Sequence, residues 1–220
     1  MRTDNRPPAP VALTFDDGPD PIWTPLVLGA LANAGVRATF FVIATRAARY
    51  PSLMSSMRNG GHDVALHCVE HVRHDAMTQK EIEADVEAGL LALGRSVRYW
   101  RTPWGLITPA TEEAAKRHRL RLVGWTADTE DWRGGSSEEM LARVRGEISP
   151  GAIILMHDGV GPGSKREGCQ ETVDLVGPLV SLVRSHGLEP AKLDELGHPL
   201  PDRNPDFQTG SSGGDRVRGV

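Results

Sequence analysis

The chain has 220 residues, of which 39% are hydrophobic, and a formal net charge of -4 at pH 7. This length and apolar content suffice for one large domain, and the mixed charge excludes a basic surface for nucleic acid or a cationic face for a membrane. The first residues form no apolar leader, and Cys68 and Cys169 are the only cysteines, so we expect a cytoplasmic protein without disulfides, or alternatively a secreted protein whose leader has been removed.

Short apolar runs alternate with amphipathic stretches along the chain, which predicts alternating strands and helices. Strands are predicted over residues 11–15, 38–43, 62–66, 99–102, 120–125 and 152–156. Helices are predicted to begin at Thr24-Pro25, at Thr78 with Glu81, at Thr108-Pro109 and at Ser136 with Glu139, and a last helix is predicted over residues 169–186. This order favours a parallel sheet, either a barrel or a doubly wound sheet.

The predicted domain covers residues 10–197 and follows a short extension, residues 1–9. Residues 198–220 are rich in Pro, Asp, Gly and Ser and poor in apolar residues, so they are predicted to form a disordered tail.

Polar side chains concentrate where the predicted strands end. Asp16 and Asp17 follow the first strand, and His67 follows the third. In the same way, Arg101 is at the end of the fourth strand, Asp128 and Asp131 follow the fifth, and His157 follows the sixth. Because the carboxyl ends of parallel strands meet at one edge, we expect these side chains to line one site there.

Two histidines of this group, His67 and His71, lie four residues apart, a spacing at which both can reach one ion. With the Asp17 carboxylate they form a set of two histidines and one acid, which is typical of catalytic zinc. Taken separately, the features have ordinary alternatives: a pair of partly exposed histidines, and a turn in which Asp-Asp-Gly-Pro satisfies backbone donors.

Three further side chains suit proton transfer. Asp16, next to Asp17, can accept a proton from water at the metal. His157 follows an apolar strand and can protonate a leaving group near neutral pH, with Asp131 orienting its ring. The alternative for His157 is a structural histidine that caps the sheet.

Five motifs in this order resemble those of the polysaccharide deacetylase family, the NodB-homology domains of carbohydrate esterase family four, over residues 11–196. The motifs are TFDDGP at residues 14–19, His67 with His71, RTPWG at residues 101–105, DTEDW at residues 128–132 and LMH at residues 155–157. The resemblance implies a distorted (β/α) barrel with about seven parallel strands. It also implies a divalent metal, most often zinc with cobalt and nickel as alternatives, held by Asp17, His67 and His71.

The resemblance implies a role for each remaining motif residue. Asp16 would be the general base, tuned by Arg101, and His157 would be the general acid, with Asp131 as its partner. The acetyl methyl group would lie against Trp132 and Leu155, and the backbone N–H of Trp104 would help to hold the oxyanion.

Two positions depart from the family pattern. Trp104 stands where Tyr is frequent, and Cys68 follows His67 where Ser or Thr is usual. A residue adjacent to His67 is badly placed to share its ion, so we expect Cys68 to be a buried neutral thiol rather than a fourth ligand.

These features together predict a metal-dependent hydrolase that removes N-acetyl groups from an amino sugar, in a small conjugate or an oligosaccharide. The alternatives are a secreted deacetylase of chitin oligomers or peptidoglycan, an O-acetyl esterase, a non-catalytic sugar-binding protein, and a metal-dependent phosphoesterase. The expected partner is an N-acetylated sugar, with neither nucleic acid nor a membrane.

Overall fold

The fold is that of a computed structural model, which describes residues 7–94 and 96–197. In this part of the chain, strands β1 to β8 cover Pro10–Asp16, Thr39–Ile43, Asp63–Cys68, Tyr99–Trp100, Arg121–Leu122, Ala127–Asp128, Ile153–His157 and Glu189–Ala191. Helices α1 to α7 cover Trp23–Ala34, Ala44–Arg49, Pro51–Asn59, Gln79–Leu93, Pro109–His118, Ser137–Val144 and Gln170–Ser185. The predicted tail, residues 198–220, lies outside the described residues, as does most of the predicted extension.

The strands form one sheet in the order β5-β4-β3-β2-β1-β7-β6, and each strand pair is parallel. β8 is off this path and pairs with the beginning of β1. The end strands β5 and β6 are not paired with each other in the described sheet, so the barrel is distorted and incompletely closed. This confirms the barrel with about seven parallel strands rather than the doubly wound sheet.

The predicted fifth strand, residues 120–125, is wrong in its extent. Leu122 in β5 pairs with Trp100, whereas Ala127 in β6 pairs with Ile154 at the other end of the sheet. The chain therefore changes from one end of the sheet to the other between residues 122 and 127, and Asp128 belongs to a strand of its own. A continuous apolar run cannot distinguish one long strand from two short ones.

Capping boxes define the start of three of the seven helices in the described residues. Thr78, Thr108 and Ser136 each form a capping box with the residue three positions later. The three helix starts are confirmed, although the box of Thr108 with Thr111 was not predicted. The predicted start of α1 at Thr24-Pro25 is wrong, because the helix begins at Trp23. Asp20 Oδ1 accepts hydrogen bonds from the backbone N–H groups of Ile22 and Trp23 at this end of the helix. The last helix agrees with its prediction to within one residue at each end.

Alternation along the strands separates an outer face from the barrel interior. In β1, Val11, Leu13 and Phe15 pack in the main core with residues of the helices, whereas Ala12 packs in a smaller cluster with Phe41. Side chains alternate along a strand, so Asp16 is on the same face as Ala12. In β3 and β7, His67 and His157 share the faces of Ala65 and Ile153, which belong to the same inner cluster.

The helices of the described residues pack around this sheet. None of them is long and apolar enough to cross a bilayer.

Candidate active site

A cavity of about 220 Å³ opens at the carboxyl ends of the strands. Its lining includes Asp16, Asp17, His67, His71, Trp104, Trp132, Leu155 and His157. Eight of the ten predicted site residues thus line the cavity, and the other two, Arg101 and Asp131, are fully buried beside it. The convergence expected from the strand order is therefore observed.

Asp17, His67 and His71 are arranged as a set of metal ligands. Asp17 Oδ1 lies 3.4 Å from His67 Nε2 and 3.3 Å from His71 Nε2, and all three ligand atoms lie within 4.8 Å of one another. Asp17 Oδ1 is buried and has no hydrogen-bond partner among the described residues, so the oxygen is available to a cation. Two imidazole nitrogens and a carboxylate oxygen fit a divalent metal such as zinc.

Interactions behind the ligands fix their orientation. His67 Nδ1 lies 2.7 Å from the Arg101 carbonyl oxygen and donates to it, so Nε2 is the ring nitrogen that faces Asp17 and that can bind a metal ion once it is deprotonated. Burial alone raises the pKa of Asp17, but the imidazoles of His67 and His71 outweigh burial and hold the pKa well below its ordinary value. Asp17 is therefore an anion at neutral pH, as a metal ligand must be.

Asp16 is paired with a fully buried arginine inside the barrel. Arg101 Nη1 donates to Asp16 Oδ1 at 2.8 Å, and Nη2 donates to the Gly124 carbonyl oxygen at 2.8 Å. The guanidinium also lies over the Phe41 ring, 4.2 Å from its centroid. A guanidinium at this distance forms a charge-assisted hydrogen bond, so Arg101 orients the Asp16 carboxylate.

His157 and Asp131 form a second pair on the other side of the cavity. His157 Nδ1 lies 2.7 Å from Asp131 Oδ1. Burial alone lowers the pKa of His157, but the Asp131 carboxylate outweighs burial and raises it to about 9. Conversely, burial raises the pKa of Asp131, and the charge of His157 reverses this and lowers it to about 2. The pair is thus an imidazolium and a carboxylate at neutral pH.

Three apolar or aromatic side chains complete the rim. Trp104 is 41% exposed, and its ring meets that of His71 edge-on, with centroids 4.2 Å apart. The backbone at Trp104 is left-handed, with φ of 53°, because the chain turns sharply within a short 3₁₀ segment, Pro103–Gly105. Trp132 and Leu155 line the cavity near His157.

Two arginines near the site are not among the residues predicted from the sequence. Arg166 Nη1 donates to Asp131 Oδ2 at 2.9 Å, and Thr172 donates to the same oxygen at 2.7 Å. Arg46 donates from Nη1 to the Asp17 carbonyl oxygen at 2.9 Å. Neither arginine ends a strand or belongs to one of the five motifs, so the positions of the strand ends could not predict a role for either of them.

Cys68 does not belong to the ligand set, as predicted. Its thiol is free and buried, and burial raises its pKa well above the ordinary value. Cys169 is likewise free and buried, so the expectation of no disulfide is met by both cysteines.

The sequence profile described as polysaccharide deacetylase matches residues 3–123. The chain belongs to the polysaccharide deacetylase family. It is accordingly a hydrolase that acts on carbon–nitrogen bonds other than peptide bonds, which confirms the predicted class of enzyme.

Individual relatives extend over most of the chain. A chitooligosaccharide deacetylase of Bradyrhizobium sp. (strain ANU 289) is 34% identical over 201 residues, which are 87% of this chain and 89% of the relative. A peptidoglycan-N-acetylglucosamine deacetylase of Bacillus cereus is 33% identical over 175 residues, 77% of this chain and 62% of the relative. The solved structure of the Bc1960 peptidoglycan N-acetylglucosamine deacetylase superposes with a TM-score of 0.78 at 28% identity, covering 86% of this chain and 88% of that chain.

Proposed function

We propose that this polysaccharide deacetylase removes the N-acetyl group from an N-acetylglucosamine residue of a short oligosaccharide, with a divalent metal ion bound at Asp17, His67 and His71. The observation that carries the proposal is the position of this ligand set in one cavity with a carboxylate, Asp16, and an imidazolium, His157. Amide hydrolysis requires a proton acceptor for the attacking water and a proton donor for the departing amine. The cavity supplies one candidate for each.

The metal ligands are Asp17 Oδ1 and the Nε2 atoms of His67 and His71, which face one another across 3.3 and 3.4 Å. A bound ion supplies Lewis acidity, which polarises the acetyl carbonyl and lowers the pKa of water. Zinc is the preferred ion for two imidazoles and one carboxylate, with cobalt and nickel as alternatives.

Asp16 acts as the general base. Arg101 donates to Asp16 Oδ1 at 2.8 Å and orients this carboxylate, so Asp16 can accept a proton from the attacking water. Asp16 lies on the inner face of β1, and the next residue in the chain is the metal ligand Asp17. The base is therefore covalently tied to a metal ligand. This arrangement holds the base and the metal site in one fixed geometry.

His157 acts as the general acid. The Asp131 carboxylate raises the pKa of His157 to about 9, so the ring carries its proton at neutral pH. Because Nδ1 is bound to Asp131, the proton available to the departing amine is on Nε2. Asp131 is held in turn by Arg166 and Thr172, so it acts on the reaction through His157 rather than on the substrate.

The remaining lining residues receive the acetyl group. Trp132 and Leu155 present apolar surface beside His157, which suits the acetyl methyl group. The backbone N–H of Trp104, in the turn next to His71, is the proposed donor to the oxyanion that forms on the acetyl carbonyl.

The relatives support an N-acetylglucosamine substrate. They include deacetylases of chitooligosaccharides and of peptidoglycan N-acetylglucosamine at 33% to 34% identity. The match to the chitooligosaccharide enzyme covers the larger share of both chains, which favours a short oligosaccharide. A polymeric peptidoglycan substrate is the alternative, and it is favoured by the structural match to the Bc1960 deacetylase.

The test is to remove bound metal with a chelator, restore zinc, cobalt or nickel, and measure acetate released from chitooligosaccharides and from peptidoglycan. We expect acetate release to return with the metal and to be lost in Asp16→Asn and His157→Ala. Glu87→Gln, an exposed change on α4, is the control and should keep activity. Full acetate release by the metal-free protein, or by Asp16→Asn, would contradict the proposed mechanism.

A further inference from the structure

The loop after β7 packs directly against the metal ligand Asp17. A Cβ atom added at Gly161 would lie 2.1 Å from Asp17 Oδ2 and 2.8 Å from its Cγ. A Cβ atom added at Gly159 would lie 2.8 Å from the Asp17 carbonyl oxygen and 2.8 Å from Arg46 Nη1. Only glycine fits at either position without displacing Asp17, so the loop contacts both the carboxylate and the backbone of this ligand.

Arg46, at the start of α2, joins this loop to Asp17. Its Nη1 donates to the Asp17 carbonyl oxygen at 2.9 Å, and its Nη2 donates to the Val160 carbonyl oxygen at 3.0 Å. One planar guanidinium therefore binds the residue that carries the metal ligand and the residue between the two glycines. Two parallel donors on a rigid group fix the relative position of two carbonyls better than a flexible ammonium can.

Asp17 needs such support because its backbone is in the left-handed region, with φ of 73°. This conformation is uncommon for residues other than glycine and persists where the surroundings hold it. Here it turns the Asp17 carbonyl oxygen towards Arg46, while Oδ1 lies between His67 and His71. The interaction that holds the backbone thus also determines where the carboxylate points.

We propose that Arg46 and Gly161 are positioning residues for the metal ligand: Arg46 holds the loop of residues 159–163 against Asp17, and Gly161 leaves room for the Asp17 carboxylate. The inference rests on the proposed function, since it assigns a role towards the same metal ion. It extends the metal-binding machinery to α2 and to the loop after β7, neither of which supplies a ligand. Interactions that orient a ligand from behind commonly contribute about 10- to 100-fold to metal affinity.

The experiment measures the zinc affinity of the full chain by competition with a chromophoric chelator, which requires no turnover. Arg46→Gln removes the guanidinium with its two donors, Nη1 and Nη2, and Arg46→Lys keeps a single charged donor. Gly161→Ala places a methyl group against the Asp17 carboxylate. Arg49→Gln, an exposed residue of the same helix, and Gly29→Ala, where an added Cβ meets nothing within 4 Å, are the matched controls.

We expect Arg46→Gln and Gly161→Ala to weaken zinc binding by about 10- to 100-fold, with Arg46→Lys between Arg46→Gln and the wild type and both controls unchanged. Wild-type zinc affinity in both Arg46→Gln and Gly161→Ala would overturn the inference. If Arg46→Gln does not fold, Gly161→Ala decides alone, because it leaves the arginine in place. Zinc binding that depends on Asp17 but not on Arg46 or Gly161 would overturn the inference and leave the proposed function intact, whereas a wild-type chain that binds no zinc would overturn both.

Discussion

His157 and Asp131 contact each other at two points. The ring nitrogen Nδ1 of His157 lies 2.7 Å from Asp131 Oδ1, and the backbone N–H of His157 donates to Asp131 Oδ2 at 2.9 Å. One carboxylate therefore fixes both the ring and the main chain of the same histidine. Since Nδ1 is engaged, the other ring nitrogen is the one that is free to exchange protons in the cavity.

Replacing Asp131 with Asn should move the alkaline limb of the pH profile of kcat/KM to lower pH. Burial lowers the pKa of His157 and the Asp131 carboxylate raises it to about 9, so without the carboxylate the effect of burial remains and the pKa falls. A general acid must be protonated, so activity is then lost at a lower pH, with a reduction of about 10² to 10⁴ near neutrality. Acetate release measured between about pH 6 and pH 10 tests this, and an unchanged alkaline limb would contradict the role of Asp131.

Replacing Arg166 with Met should move the alkaline limb of the pH profile of kcat/KM to higher pH. Arg166 donates to Asp131 Oδ2 at 2.9 Å and to the His157 carbonyl oxygen at 3.1 Å, so its charge opposes protonation of the neighbouring imidazole. Without this cation the pKa of His157 rises, the acid releases its proton less readily, and we expect kcat to fall by about 10-fold. Arg166→Lys keeps the charge and should keep the limb near its wild-type pH. A downward shift in Arg166→Met would rule out this electrostatic role.

The parallel sheet and the gathering of the site residues at one edge were predictable from local patterns in the sequence, whereas the choice of a barrel over a doubly wound sheet came from the family resemblance. Alternation in β1 places Ala12 and Asp16 on one face, and strand ends bring Asp17, His67 and His157 to one edge. The short strand Ala127–Asp128 was missed because two residues carry no periodicity, and its place in the sheet depends on pairing with the distant β7.

The two supporting arginines could not have been predicted from local pattern. Arg46 lies in a helix and Arg166 lies in a glycine-containing loop, and their partners Asp17 and Asp131 are 29 and 35 residues away in the sequence. Their roles arise from tertiary packing, where a guanidinium meets backbone carbonyls or a buried carboxylate. Arg101, by contrast, directly follows β4, so its place at the carboxyl end of the sheet could be predicted in the same way as that of the aspartates.

Asp158 should make the stability of the metal-free protein depend on pH. Burial raises the pKa of this carboxyl group to about 7, with the charges of Asp17 and Asp16 adding to the effect and the hydrogen bond from Thr24 opposing it. The folded state therefore holds this proton at pH values where the unfolded chain, at the ordinary value of 3.8, has lost it. The free energy of unfolding should consequently decrease as the pH rises through this window, by at most about 1.4 kcal/mol per pH unit.

The Asp158→Asn variant isolates that contribution, because the amide keeps an acceptor for the Thr24 hydroxyl and has no proton to lose. Urea denaturation of the metal-free wild type and variant at about pH 5 and about pH 8 should show a smaller decrease for the variant. An equal decrease in both proteins would mean that Asp158 is not the group responsible.

Zinc should raise the unfolding temperature of the wild type and not that of Asp17→Asn. An ion that binds only the folded chain stabilises it by about 2.7 kcal/mol at a free concentration of 100 times Kd. Asn at position 17 removes the anionic ligand between His67 and His71, so the stabilisation should disappear while the metal-free variant stays folded.

A second group of possible metal ligands provides a control for this prediction. Glu83, Glu87 and His118 also lie within 4.8 Å of one another, on α4 and α5. There, however, His118 Nε2 is already 2.6 Å from Glu83 Oε1, and Arg117 lies 3.4 Å from the same oxygen, so a cation would have to displace existing partners. Glu87→Gln should therefore leave the zinc-dependent rise in unfolding temperature unchanged. A rise that survives in Asp17→Asn and disappears in Glu87→Gln would place the ion on these helices and away from the cavity.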